Sequence, residues 1–140
     1  MSKRCDAAAV EGRVLGAVTL PGETASVGVF WRFVADIIGT YCPVESERVD
    51  DAVLLSSETV TNSLVHSDSR HGGVVTLTLS TSGAVLRVEV LDDGGKTTPT
   101  RCAEDALRVN GRGVFLVEAL AKSSGHRVDA EGRLLSWFEI

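Results

Sequence analysis

The chain has 140 residues, 44% of them hydrophobic and 24% charged, with a formal net charge of −5. That is the size of one domain and the composition of a folded one, so a second core and intrinsic disorder are both excluded. So acidic a chain lacks the broad positive field that non-specific nucleic-acid binding needs, and no direct nucleic-acid contact is expected. Residues 1–12 (MSKRCDAAAVEG) read as a flexible leader, and 13–140 as the domain. Arg13 to Leu20 predicts a strand ended by Pro21-Gly22. From Ser26 to Ile38, Val27, Phe30, Trp31, Val34 and Ile38 recur at three- and four-residue steps, which predicts a helix with Gly39 as its stop. This longest apolar stretch carries Arg32 and Asp36, so no membrane span is expected.

A second helix is expected from about Ser46 to His66. Val49, Val53, Val60 and Leu64 form one apolar stripe, with Leu54, Leu55 and Val65 on the opposite side. A helix apolar on two sides is covered on two sides. Ser67 to Gly73 reads as a polar loop. Val74–Ser80 and Ala84–Leu91 alternate and predict a hairpin turning at Thr81-Ser82-Gly83, halted by Asp92-Asp93-Gly94-Gly95. Lys96 to Asn110 shows no period and reads as a lid. Gly111-Arg112-Gly113 opens a third helix, from Val114 to about Ser123, with Gly125 as its stop. A closing hairpin pairs His126–Asp129 with Arg133–Ile140. This order predicts an α+β domain with helices on one face of a mixed sheet. Cys5, Cys42 and Cys102 are odd in number, widely spaced and without a CxxC pair, as in a cytoplasmic protein with reduced thiols. Lys3 and Arg4 are followed by no long apolar run, so a secretory signal is not expected.

Three places can carry chemistry. Glu58 and Asn62 stand four apart on one helix, hence side by side. A carboxamide oxygen suits Mg²⁺, which keeps water and phosphate oxygens for its other positions, and a carboxylate beside it can serve as a general base. Taken singly, the pair also fits a solvated helix face, but the apolar neighbours Leu54, Leu55 and Val65 weigh against that. Asp92, at a strand end, can accept a hydrogen bond from an exocyclic amine, with Gly94 allowing close approach of a ligand. A plain turn is the simpler reading of these residues alone; Asp93 competes for the role, and strand register favours Asp92, the residue closest to the strand. Gly111-Arg112-Gly113 ahead of a helix frees backbone N–H groups for an anion, or merely closes a loop. His66 reads as a helix-end hydrogen-bonding residue, since no second ligand stands at metal spacing. Ser56, Ser57 and the cysteines lack a base arranged as in a nucleophilic triad, and Trp31 and Trp137 read as core or half-buried aromatics.

In this order and with these gaps, the three elements resemble the Bergerat-fold (GHKL) ATPases, which include gyrase B subunits and sensor histidine kinases. Glu58–His66 (ETVTNSLVH) matches the N-box, Asp92-Asp93-Gly94 the first glycine box, and Gly111-Arg112-Gly113 with the helix behind it the second. Leu20-Pro21-Gly22, the Leu55–Glu58 approach, the Asn62–Ser67 continuation and the closing Trp137–Ile140 resemble one branch, the stand-alone bacterial anti-sigma factor/serine-protein kinases. The resemblance runs from about Val14 to Ile140. It implies a two-layer α/β sandwich with a mixed, mostly antiparallel sheet. It implies ATP between the second helix, the lid and the sheet, covering that helix's second side.

Carried over, Asn62 coordinates Mg²⁺, Glu58 is the general base and Asp92 bonds the adenine amine. Gly94 lets the ligand approach, Gly111, Arg112 and Gly113 line the phosphates, and His66 and Val114 complete the nucleotide-binding set. In this branch the acceptor is a serine or threonine of a STAS-type anti-anti-sigma antagonist, and the domain sequesters a sigma factor, commonly as a homodimer. Lys96 stands where the family pattern has a further glycine. That leaves three expectations open: a protein kinase, an ATP·Mg²⁺-dependent module that sequesters a partner without phosphoryl transfer, or an α+β interaction domain that binds no nucleotide.

Overall fold

The structure is a computed structural model that describes residues 12–41, 46–95 and 120–140. Strand β1 spans Arg13–Pro21, helix α1 Ser26–Tyr41 and helix α2 Ser46–His66. A 3₁₀ turn, Asp68–His71, follows. Strands β2 (Val74–Ser82), β3 (Val85–Asp92), β4 (Ser123–Val128) and β5 (Leu134–Glu139) complete the described elements. The expected leader lies, apart from Gly12, outside the described residues. So do Cys5, Cys42, Cys102, the lid segment 96–110, and Gly111, Arg112, Gly113 and Val114.

The strands form one sheet in the order β1-β2-β3-β5-β4, and each described pairing is antiparallel. Alternation decides which face is covered. Val75, Leu77 and Leu79 of β2 and Leu86, Val88 and Val90 of β3 are buried beneath the helices, with Phe138 and Ile140 at the end of the chain. Helix α1 supplies Phe30, Val34 and Ile38, one turn apart, and α2 supplies Ala52, Leu55, Val60 and Leu64. Burying a side chain of this size is worth about 1.5–3 kcal/mol, so this single inner layer holds the two-layer sandwich together.

The helical stripe differs from expectation in one respect. Leu55 lies fully in the core, whereas Leu54 is 39% exposed, so the two leucines do not share a side. Two glycines also differ from their expected roles. Gly39 does not stop α1, which continues to Tyr41: no left-handed backbone occurs there, so nothing ends the helix at that point. Gly125 is not a helix stop but an inner residue of β4, opposite Trp137 in register. A Cβ on Gly125 would come within 2.9 Å of the indole ring, so the glycine makes room for a neighbouring strand's tryptophan. The helix expected to run to Ser123 has ended before it, since β4 begins there; Leu120 is helical and Ala121 packs against the core. The hairpin turn falls at Gly83-Ala84, with Ser82 paired to Val85, rather than at Thr81-Ser82-Gly83.

Candidate functional site

Helix α2 lies over the end of β3, and this packing builds the site. Glu58 and Asn62 sit one turn apart on α2, both half-buried. The Oδ1 of Asn62 is buried without a hydrogen-bond partner among the described residues. His66 is the last residue of α2; its side chain lies outside the described part of the structure.

Asp92 ends β3 on the inner face, 2% exposed. Its Oδ1 accepts the Gly94 N–H at 2.7 Å, an Asx turn that sets the carboxylate's orientation. Its Oδ2 is buried and has no partner among the described residues. Burial pushes the Asp92 carboxyl above its ordinary range. The Gly94 N–H is the strongest opposing influence, the Ser63 hydroxyl and the Leu134 N–H also oppose it, and the charge of Asp93 adds to the rise. Ser63 follows Asn62 directly, so the Asn62 turn of α2 and the end of β3 meet at one corner.

Gly94 has a left-handed backbone with φ of +78°, and a Cβ there would run into the Gly132 carbonyl. The β4–β5 turn thus packs on the Asp92–Gly94 turn, and only glycine satisfies both backbone and space. Asp93 behaves differently from Asp92. Its Oδ2 accepts the Val74 N–H at 3.1 Å and faces the Ser69 hydroxyl at 3.1 Å, while its own N–H donates to Ser69 Oγ at 2.9 Å. Asp93 is spoken for by the protein itself, and Asp92 retains one unengaged oxygen.

Of the expected site residues, the structure brings Asn62 and Asp92 to one corner through Ser63, with Glu58 a turn away from Asn62 on α2. Sequence reasoning did not single out Ser63 or Ser69. The Ser67-Asp68-Ser69 run is a legible turn signal, and Ser67 indeed accepts the Ser69 N–H at 3.0 Å. No local pattern, however, shows that Ser69 meets Asp93 across 24 positions of chain.

Two helices over one face of an antiparallel sheet, with an N-box on the helix and an aspartate at the strand end, define a two-layer Bergerat-type domain. The chain belongs to the histidine kinase-like ATPase domain family, whose pattern it matches over residues 20–136. It is similar to the anti-sigma F factor of Clostridium acetobutylicum, 40% identical over 48 residues. That stretch is 34% of this chain and 34% of the relative, so the chain covers about a third of the relative's length. Among solved structures, it resembles a chain of the SiaB–SiaC complex from Pseudomonas aeruginosa, with a TM-score of 0.70 at 9% identity over 99% of this chain and 96% of that one. It also resembles the RsbU and RsbW domains of Rv1364c from Mycobacterium tuberculosis, with a TM-score of 0.63 at 15% identity, over 89% of this chain and 32% of that one. At these identities the two structures speak for the fold. Among the described residues, no helix is long and apolar enough to cross a membrane.

Proposed function

We propose that this chain is an ATP·Mg²⁺-binding anti-sigma regulatory factor that phosphorylates a serine or threonine of a STAS-type anti-anti-sigma antagonist. Three buried side-chain oxygens have no hydrogen-bond partner among the described residues, Ser56 Oγ, Asn62 Oδ1 and Asp92 Oδ2, and the last two carry the reading. A buried acceptor left alone is costly, so such atoms are explained when a ligand completes them. Their chemistry fits the two ends of one ligand. A carboxamide oxygen is a hard donor suited to Mg²⁺, and a carboxylate oxygen accepts from the amine of adenine. Among the described residues no group of three or more His, Cys, Asp or Glu is placed to hold a metal. A cation held by one amide oxygen, with phosphate oxygens and water completing it, needs no such group.

In this reading Asn62 holds Mg²⁺, and Asp92 orients the nucleoside through its free oxygen while Gly94 fixes the carboxylate. Gly111, Arg112, Gly113 and Val114 border the phosphates, with His66 at the end of the helix. The bound cation would neutralise phosphate charge, the main demand of phosphoryl transfer. Glu58 accepts the proton of the attacking hydroxyl as its oxygen takes the γ-phosphoryl group and ADP departs. The anti-sigma part rests on the likeness to the clostridial factor, and sequestration of a sigma factor by a homodimer belongs to the same proposal.

Two measurements on the purified chain test it. ATP with Mg²⁺ at a hundred times its Kd should stabilise the fold by about 2.7 kcal/mol, read as a rise in Tm. No rise removes the nucleotide. Transfer of labelled phosphate from ATP to candidate antagonists should fall by about 10²–10⁴-fold in Glu58→Ala, with ATP affinity kept. Equal transfer by the variant removes Glu58 as the base. Nucleotide-dependent capture of a sigma factor without any transfer selects the sequestering module instead of the kinase.

A further inference from the structure

Around the Asp92 corner runs a set of hydrogen bonds that the proposed chemistry does not use. Ser69, 1% exposed, stands at its centre. Its Oγ accepts the Asp93 N–H at 2.9 Å, and its one hydroxyl hydrogen lies between Val74 O at 2.8 Å and Asp93 Oδ2 at 3.1 Å. Its carbonyl accepts the Gly73 N–H at 2.8 Å. The next link is direct: the Asp68 N–H donates to the Gly94 carbonyl at 2.6 Å, and the Gly94 N–H holds Asp92 Oδ1. Gly22 seats itself on the Ser69 backbone, where a Cβ would collide with the Ser69 carbonyl, and donates its N–H to Gly73 O at 3.1 Å. The end of β1 thus packs on the Ser69 backbone, while the start of β2 and the end of β3 close on its buried hydroxyl.

We propose that Ser69 is a positioning residue for nucleobase recognition: by clamping Asp93 to the start of β2, it holds the Asp92–Gly94 turn so that Asp92 Oδ2 faces the exocyclic amine of an adenine. The proposal rests on the reading of Asp92 given above. The physical reason is rotamer control. The orientation of Asp92 depends on the Gly94 N–H, and the Gly94 peptide is held by Asp68 on one side and by the Asp93–Ser69 pairing on the other. Removing the Ser69 hydroxyl leaves the Asp93 N–H without its partner and the carboxylate held by the Val74 N–H alone, and the turn gains freedom. A carboxylate free to rotate accepts the amine less well, while a contact with the triphosphate does not depend on it.

The test compares ATP with inosine triphosphate, which carries a carbonyl in place of the amine, by calorimetric titration of the full chain with Mg²⁺. The unaltered protein should prefer ATP. In Ser69→Ala the preference should fall by about fivefold, the effect of one lost hydrogen bond, with affinity for inosine triphosphate unchanged. Asp93→Asn, which keeps the backbone N–H to Ser69 but weakens the carboxylate end of the clamp, should lose part of the preference. Apo Tm values establish that each variant is folded. Full preference in both folded variants overturns the proposal, as does equal loss of affinity for the two nucleotides, which is general loosening. Failure of both variants to fold also overturns it, because the clamp is then a requirement of the fold alone. If the unaltered protein binds both nucleotides equally, the assignment of Asp92 to adenine itself falls, and the role of Ser69 falls with it.

Discussion

Arg87 and Asp92 share strand β3, five residues apart, and their surroundings are opposites. Arg87 points to the open face of the sheet. Its Nε meets Glu89 Oε2 at 2.8 Å, its Nη1 meets Glu139 Oε2 at 3.0 Å, and its guanidinium lies 4.2 Å from the centre of the Trp137 ring. Asp92 points to the helices, is buried, and has one oxygen bonded and one without a partner among the described residues. The first cluster is satisfied within the protein and half-wet. The second carries an unmet demand in a dry place. Charge of the first kind maintains a surface, and charge of the second kind is what the proposed nucleotide would complete.

Four experiments break or sharpen that contrast. The largest effect is expected from Asp92→Asn. It removes a charged acceptor worth about 1.5–3 kcal/mol, so ATP affinity should drop about 10–100-fold by titration calorimetry. The apo Tm should not fall, because the variant also removes a buried charge. A large loss of apo stability instead would make Asp92 structural, like Arg87. Next comes Asn62→Ala, which should abolish the Mg²⁺-dependent part of the ATP-induced rise in Tm. If that part survives, the metal is held elsewhere.

The third experiment is a pH series. Burial raises the folded-state pKa of Asp92 above 3.8, the value expected when unfolded. Its contribution to the stability of the free protein is therefore fully present below pH 3.8 and is lost as pH rises through the folded pKa. Asp129 runs the other way. The Arg133 N–H, foremost among its partners, lowers its pKa, so its contribution is present above 3.8 and is lost as pH falls through the folded value. In denaturant titrations across this range, Asp92→Asn should remove the first dependence and leave the second. ATP affinity should weaken on acidification, as Asp92 takes up a proton, while affinity for inosine triphosphate holds. An ATP affinity that is flat with pH and identical in Asp92→Asn would break the assignment. The smallest effect on binding belongs to Arg87→Ala. Losing two half-exposed ion pairs and the stacking on Trp137 should cost roughly 1–2 kcal/mol of stability in urea unfolding and leave ATP affinity as it is. Altered nucleotide affinity in that variant would join the open face to the site.

Periodic signals were the most legible part of the chain. The 21-residue helix α2 and the β2–β3 hairpin follow directly from spacing and alternation, because those patterns reflect which side chains face the core. Punctuation was less legible. Gly39 and Gly125 look alike as helix stops in the sequence. One sits inside a helix, and the other accommodates an indole from the neighbouring strand, a contact that no local rule contains. At the site, Asn62 and Asp92 stand out as residue types, but the serines that support the corner do not. Ser69 looks like any loop serine until its partner 24 positions later is seen.

The order of polar residue, turn and apolar run along the chain was enough to determine the class of domain and the residues to watch, because secondary structure and motif spacing are local properties. Strand register already favours Asp92 over Asp93, but only the tertiary structure showed what each neighbour meets: Asp93 bonds within the protein while Asp92 keeps an oxygen without a partner among the described residues, and Leu55 is core while Leu54 is not. Which of two adjacent groups is satisfied depends on what the fold brings against it from far along the chain, and burial makes that difference count energetically.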